Sequence, residues 1–359
     1  MGLNFPMPST DRANEAPAGQ LAGANGIRGF ACLWVLVVHN VAIVFPATYA
    51  GLTGCGKIGV WLFFVLSAYL LTYKLRNSGM SGTEIGAYFH GRFWRIIPAF
   101  GCAVVFYKFA GTAGIDTWSD VRSALFLERG FAHLWTIPVE FKFYFLLPAL
   151  VWLFGHIYRK FGTHGSIIAG LALVGLHQCF FPFWRLPDNS IEPSWYIGVF
   201  LVGIVAAYIP RTRSATSATW WGVGVLLTVV ALMPFVRQLI LGLQPTRYLM
   251  NKYLVLAPLW AAFIVTQAEG VGVIGRFLRS RPMALIGQWS YSIYLLHWFF
   301  AIKAHELAPN QISAVLTSIT LSLLVGCFMY WLIEMPARFC RRMFPSKLRV
   351  LAGHLGKNN

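Results

Sequence analysis

Acidic residues are scarce in this chain, with 12 aspartates and glutamates among 359 residues, and only 11% of all residues are charged. Soluble domains usually carry about a quarter charged residues, so this composition excludes a large soluble domain. The six cysteines are scattered, and their spacing indicates neither a disulfide framework nor a zinc site. We therefore expect no metal. The chain shows no internal repeat, and its beginning lacks the basic start and apolar core of a signal peptide.

Apolar residues make up 57% of the chain, and they form runs of membrane-spanning length from end to end. A helix needs about 20 such residues to cross a bilayer, within a range of roughly 17–25. The pattern predicts an all-α, polytopic membrane protein with about ten transmembrane helices. The predicted spans are residues 26–46, 57–74, 92–111, 134–155, 166–182, 194–210, 219–241, 250–267, 282–303 and 311–334.

The net charge of +17 would suit nucleic acid in a soluble protein, but in a membrane protein it is typical of basic cytoplasmic loops. Lysine and arginine are concentrated in the loops that share a side with the two ends of the chain. We therefore predict that both termini are cytoplasmic and that nucleic acid is no partner. The predicted organisation is a flexible cytoplasmic tail (1–25), a transmembrane domain (26–340) and a basic cytoplasmic tail (341–359).

Arg28 and His39 lie in the apolar stretch GIRGFACLWVLVVHN, where an ionisable side chain costs about 2.5–3.5 kcal/mol on insertion scales. Arg28 is at the predicted cytoplasmic end of the span, where its long side chain can reach the membrane surface. Eleven residues are close to three helical turns, so His39 lies on the same stripe, roughly 16 Å deeper. A structural hydrogen bond to a neighbouring helix is the alternative for His39, but its depth favours a functional role.

Glu140 lies near the start of the fourth predicted span, in HLWTIPVEFKFYFLLP, at a depth comparable to that of His39. Tyr144 shares its face one turn later, whereas Lys142 points nearly the opposite way. A carboxylate near a histidine can orient the ring and raise its basicity, so Glu140 is a candidate partner of His39. A structural ion pair with Arg129, or with Lys142 of a neighbouring copy, is the alternative.

Further polar side chains recur in other spans. Arg92 and Arg95 lie one turn apart in RFWRIIP and could bind phosphate with their guanidinium forks, although anchoring at the cytoplasmic surface also explains them. Separate spans that supply polar groups at one depth predict a pocket. Its other candidate members, from GVWLFFVLSAYLL and GQWSYSIYLLHWFF, are Ser67, Tyr291, Tyr294 and His297.

Taken together, these segments resemble the acyltransferase-3 family of integral membrane acyltransferases. The matching motifs occur in the family's order over about residues 26–340. They are IRGFACLWVLVVH with its R-x10-H spacing, GVWLFFVLSAYLLT, RFWRIIP, HLWTIPVEFKFYFLLP, WSYSIYLLHW and YWLIEMPAR. Each motif is weak alone, but six in order are specific.

The resemblance implies a ten-helix membrane domain that transfers an acyl group, commonly acetyl from acetyl-CoA, to a sugar hydroxyl. The acceptor would be a glycan or glycolipid, such as lipopolysaccharide, another surface polysaccharide, peptidoglycan or a small glycosylated compound. The protein would be a multi-pass protein of the cell (inner) membrane. By the same resemblance, Arg28 and His39 are essential, Arg92 and Arg95 match the family's RxxR pair, and Glu140 matches its acidic residue.

Three features depart from the family's pattern. The chain has Glu140-Phe141-Lys142 where relatives often have Glu-Glu-Gln, and Ser67-Ala68 where they have Ser-Gly. Many relatives also carry an extracytoplasmic hydrolase-like domain after the membrane part. We therefore expect this chain to act alone or to hand acyl groups to a separate extracytoplasmic partner.

The sequence supports one mechanistic hypothesis with two routes. Acetyl-CoA would enter from the cytoplasm with its phosphates against Arg28, Arg92 and Arg95, and its pantetheine arm would carry the thioester to His39. His39 would act as the general base for the acceptor hydroxyl, with Ser67, Tyr291 or Tyr294 donating to the oxyanion. In the second route an acyl-enzyme forms, on His39 or on Cys32.

Two other functions remain open on the sequence alone. A transporter or flippase would also place His, Glu and Arg within the membrane, but the chain shows none of the inverted repeats or matched broken helices typical of that class. A membrane scaffold or sensor would keep the fold without chemistry, and the presence of Arg28, His39 and Glu140 argues against it.

Overall fold

The computed structural model describes residues 21–78, 80–246, 250 and 252–341, and these residues form helices and no strands. The prediction of an all-α protein is confirmed. The predicted cytoplasmic tails lie outside the described residues except for residues 21–25 and Arg341.

Twelve helices of seven or more residues occur in the described part of the chain. They are α1 (Ala24–Val44), α2 (Gly56–Ser78), α3 (Gly82–Ala110), α4 (Trp118–Leu125), α5 (Thr136–Phe180), α6 (Ile197–Ala206), α7 (Ala215–Ala231), α8 (Pro234–Leu241), α9 (Tyr253–Gln267), α10 (Gly272–Leu278), α11 (Arg281–Ile302) and α12 (Gln311–Met329).

Each of the ten predicted spans overlaps at least one of these helices, and 219–241 overlaps both α7 and α8. Two of them, 134–155 and 166–182, fall on α5, which is interrupted by a non-helical Gly162 (φ 65°, ψ −158°). Within the described residues, five helices are long and apolar enough to cross a membrane, or up to seven if the pairs α7–α8 and α9–α10, bent by 77° and 86°, each count as one span. The chain is thus a polytopic membrane protein, and the number of ten crossings stays a prediction.

Helix α11 packs closely against α1, the helix that carries Arg28 and His39. A Cβ atom built on Gly287 of α11 would lie 1.7 Å from the Asn25 carbonyl oxygen, and one on Gly29 would lie 2.5 Å from that of Met283. The two backbones therefore touch, which is the usual role of small residues between membrane helices. This contact holds the Arg28–His39 helix directly against α11.

The Ser67-Ala68 departure from the family's pattern does not prevent a close approach at α2. A Cβ atom on Gly203 of α6 would lie 2.4 Å from the Val65 carbonyl oxygen and 2.8 Å from the Ala68 Cβ. The glycine that allows this approach is therefore on α6, opposite Ala68.

A π-helical turn, Tyr330–Glu334, follows α12 directly. Such turns are rare in proteins, and those that occur are often found at functional sites. Here the turn ends at Glu334, a carboxylate that is 3% exposed inside the helical bundle.

Candidate active site

A cavity between α1, α2, α3, α5 and α11 gathers most of the polar residues identified in the sequence. The volume open to the centre of a water-sized sphere is about 90 Å³, so the cavity is narrow. Seven predicted site residues line it: Arg28, Ser67, Arg92, Arg95, Glu140, Tyr291 and Tyr294.

Glu140 forms a compact hydrogen-bond network inside this cavity. The Ser67 hydroxyl donates to Glu140 Oε1 over 2.5 Å, and the Tyr144 hydroxyl donates to the same oxygen. Arg92 lies over the Tyr144 ring, 5.8 Å from its centroid. Glu140 and Tyr144 thus share one face of α5, as predicted. The hydrogen bond between Ser67 and Glu140 links α5 to α2.

The three arginines of the cavity differ in their partners. Arg95 forms an ion pair with the buried Glu334, which also accepts a 2.6 Å hydrogen bond from Ser292. Within the described residues, Arg28 and Arg92 form no ion pair. With Glu140 and Glu334 as the two acids, the three guanidiniums leave one net positive charge in and beside the cavity.

Tyr291 and Tyr294, the two cavity tyrosines on α11, donate their hydroxyl protons to backbone carbonyls. Tyr291 donates to the Ile96 carbonyl over 3.0 Å, and Tyr294 donates to the His133 carbonyl over 2.6 Å while also contacting Thr136 Oγ1. A hydroxyl has a single proton, so neither tyrosine has a spare one to offer an oxyanion in this arrangement.

His39 and His297 form a second cluster, away from the residues that line the cavity. His39 Nδ1 lies 2.9 Å from His297 Nε2, and the two ring planes are nearly parallel. The His133 ring meets His297 edge to face, with centroids 4.9 Å apart, and stacks on Trp298. Within the described residues, no group of three or more His, Cys, Asp or Glu side chains is arranged to hold a metal ion.

The other ring nitrogen of His39 faces the first residue of α2. A Cβ atom built on Gly56 would lie 2.5 Å from His39 Nε2 and 3.1 Å from its Cδ2. The hydrogen of glycine at this position leaves Nε2 uncrowded, whereas a methyl group would press against it. His39 itself is partly exposed.

The expectation that Glu140 orients His39 is not met in this arrangement, because Glu140 is bonded to Ser67 and Tyr144 and His39 is bonded to His297. Helix α1 is continuous from Arg28 to His39, so the cavity arginine and the histidine are about 16 Å apart along its axis. Tyr294 connects the two clusters: its ring lines the cavity and its carbonyl oxygen lies 2.7 Å from His297 Nδ1.

Cys32, the alternative acyl carrier, lies between these two clusters on α1. It is 1% exposed, and its thiol contacts the Ser290 carbonyl on α11. This position is that of a packing residue between two helices.

Sequence reasoning missed two residues of these clusters, His133 and Glu334. Both are inside motifs that carry the family resemblance, HLWTIPVEFKFYFLLP and YWLIEMPAR. The signal for Glu334 was an acid within a predicted span, which is costly unless it is paired. The signal for His133 was weaker, because it precedes the predicted span by one residue.

Comparisons with known proteins identify the family of the chain. The sequence profile of a family described as an acyltransferase domain matches residues 21–333. "O-acetyltransferase OatA" of Staphylococcus aureus (strain NCTC 8325 / PS 47) is 23% identical over 89% of this chain, and "Acyltransferase MdmB" of Streptomyces mycarofaciens is 23% identical over 90%.

The two relatives differ in how much of their own length is matched. The chain spans 57% of the staphylococcal protein and 92% of the Streptomyces protein. No solved structure matches the chain significantly. Because the family profile covers most of the chain, including every residue of the cavity lining and the histidine cluster, the chain belongs to the acyltransferase-3 family of integral membrane acyltransferases.

Proposed function

We propose that this protein is a membrane O-acyltransferase that moves an acyl group, acetyl by preference, from acyl-CoA to a hydroxyl of a sugar. The observation that carries the proposal is the cavity in which Arg28 and Arg92 face a carboxylate–hydroxyl network. Family membership and the named acyltransferase relatives support the same reaction class.

The donor fits the arginine end of the cavity by charge. Coenzyme A is a polyanion, and guanidinium forks bind phosphate oxygens in bidentate fashion. Arg28 and Arg92 would hold its phosphates, whereas Arg95, neutralised by Glu334, would shape the site. A donor with a long, thin arm is also what the distance requires, because about 16 Å of α1 separate Arg28 from His39.

Transfer would take place at His39. His39 Nε2 would accept the proton of the acceptor hydroxyl as that oxygen attacks the thioester carbonyl. The carbon–sulfur bond would then break, and the thiolate would leave with the proton from His39. General-base assistance of this kind is typically worth about 10²–10⁴-fold in rate. Ser67, Glu140 and Tyr144 would position the arm of the donor in the cavity.

The acceptor we propose is a glycan or glycolipid, with lipopolysaccharide, other surface polysaccharides, peptidoglycan and small glycosylated compounds as the classes to test. The protein would work in the cell (inner) membrane with both termini in the cytoplasm. It would complete the transfer alone or hand the acyl group to a separate extracytoplasmic protein.

The experiment follows radiolabelled acetyl from acetyl-CoA into host glycans, using membranes that contain wild-type protein, His39→Ala or His156→Ala. His156 is a matched control because it is an exposed histidine on the same kind of helix. Label in glycan with wild type and His156→Ala, but not with His39→Ala, is the expected result. Equal labelling by wild type and His39→Ala would remove His39 from the chemistry. If folded wild-type protein labels no glycan with any acyl donor, the proposal is wrong and transport of an acidic solute is the next function to assay.

A further inference from the structure

The hydrogen bonds around His297 determine which of its nitrogens carries a proton. His297 Nδ1 lies 2.7 Å from the backbone carbonyl oxygen of Tyr294. A carbonyl oxygen can only accept, so Nδ1 must be the protonated nitrogen. In a neutral imidazole the other nitrogen, Nε2, then carries a lone pair and can only accept a hydrogen bond.

The protonation of His297 in turn determines which nitrogen of His39 carries a proton. The contact between His39 Nδ1 and His297 Nε2 is 2.9 Å long, and Nε2 has no proton to give. His39 Nδ1 must therefore be the donor, which leaves the lone pair of His39 on Nε2. This Nε2 is the nitrogen that faces Gly56, where a methyl group would lie 2.5 Å away from it.

We propose that His297 is the positioning residue for His39: it fixes His39 in the tautomer with a free Nε2 and shares the positive charge when Nε2 takes up the acceptor's proton. This inference rests on the proposed function. The proton balance is simple, because Nε2 gains the proton of the hydroxyl while the Nδ1 proton already lies in a hydrogen bond to His297 and can move along it. When the thiolate leaves, it takes the Nε2 proton and the pair returns to its starting tautomers.

The surroundings of His297 fit this role. His297 is 1% exposed, and its neighbours are the rings of His133 and Tyr294 and the backbone carbonyl of Tyr294. A buried side chain with both nitrogens bonded has one orientation available, which is what a residue needs in order to hold another ring in place. Second partners of this kind commonly set the tautomer of a functional histidine.

Two substitutions separate positioning from packing. In His297→Gln, the side-chain amide oxygen can replace Nε2 as the acceptor for His39. In His297→Asn, the shorter amide can replace Nδ1 at the Tyr294 carbonyl but does not reach His39. We expect His297→Gln to keep kcat within about tenfold of wild type and His297→Asn to lose about 10²–10⁴-fold, with KM for acyl-CoA unchanged in both. Equal kcat values for the two variants would overturn the positioning role.

The tautomer is measured without any turnover. Nitrogen-15 spectra of protein labelled in its nine histidines, embedded in lipid nanodiscs and assigned with His39→Gln, should show His39 protonated at Nδ1 and unprotonated at Nε2. In His297→Asn the His39 proton should redistribute to Nε2. A wild-type His39 with its proton on Nε2 would refute the inference. Because this measurement does not depend on acyl transfer, it tests the His297 inference separately from the proposed function.

Discussion

Replacement of Gly56 by alanine adds one methyl group directly in front of the proposed base. The new Cβ would lie 2.5 Å from His39 Nε2, 3.1 Å from Cδ2 and 3.3 Å from Cε1. Ordinary contact begins near 3.4 Å, so the ring has to retreat by about 0.9 Å or the start of α2 has to move away by as much.

The size of that shift decides what is lost. A hydrogen bond between nitrogen and its acceptor is good only over about 2.7–3.2 Å, so a retreat of about 0.9 Å disturbs the 2.9 Å bond between His39 and His297. The folded protein would lose about 0.5–1.5 kcal/mol for one hydrogen bond. Catalysis would lose far more, because a general base has to lie within about 2.6–3.2 Å of the group it deprotonates. We therefore expect a fall in kcat of at least about 100-fold, the lower end of what a general base contributes.

The assay measures initial rates of acyl transfer in proteoliposomes, with CoA-dependent thermal stabilisation as the test that the arginine cavity is intact. Gly86→Ala is the matched control, since Gly86 is exposed on α3 and, apart from its own stretch of helix, no atom lies within 4 Å of its added Cβ. That variant should keep full activity and gain up to about 1 kcal/mol of helix stability. A Gly56→Ala protein that transfers acyl groups at the wild-type rate would refute the placement of Nε2 as the base.

Two further predictions concern the cavity. Arg92→Ala should raise KM for acyl-CoA by about 10- to 150-fold with a smaller change in kcat, because a charge-assisted hydrogen bond contributes about 1.5–3 kcal/mol. Titration of the initial rate with donor measures this KM. An unchanged KM would contradict a phosphate contact at Arg92. Glu334→Ala should lower the free energy of unfolding by about 3–5 kcal/mol, because it leaves the Arg95 guanidinium and the Ser292 hydroxyl without their buried partner. Thermal unfolding in detergent measures this loss. A melting temperature equal to that of wild type would show that the ion pair contributes nothing to stability.

The sequence predicted the members of the site better than their partners. Ionisable residues are costly in a membrane, so their presence in apolar runs is a strong signal, and Arg28, Arg92, Arg95 and Glu140 all line one cavity. The 3.6-residue period likewise pairs Glu140 with Tyr144, because both residues are on the same helix.

Contacts between helices did not follow from periodicity. The period places His39 on a stripe of α1 and Glu140 on a face of α5, but it does not give the rotation or the offset of one helix against the other. The offset of α11 brings His297 to His39, and the π-helical turn brings Glu334 to Arg95. A π-helical turn shifts the phase of a helix, which a regular repeat cannot anticipate.

Tyr294 is the residue through which the two halves of the proposed reaction depend on each other. Its ring is a wall of the cavity that would hold the donor, its hydroxyl is fixed by Thr136 and by the His133 carbonyl, and its own carbonyl fixes the tautomer of His297. A displacement of the Tyr294 backbone would therefore weaken the hydrogen bond to His297 and release His39 from its Nε2-free tautomer.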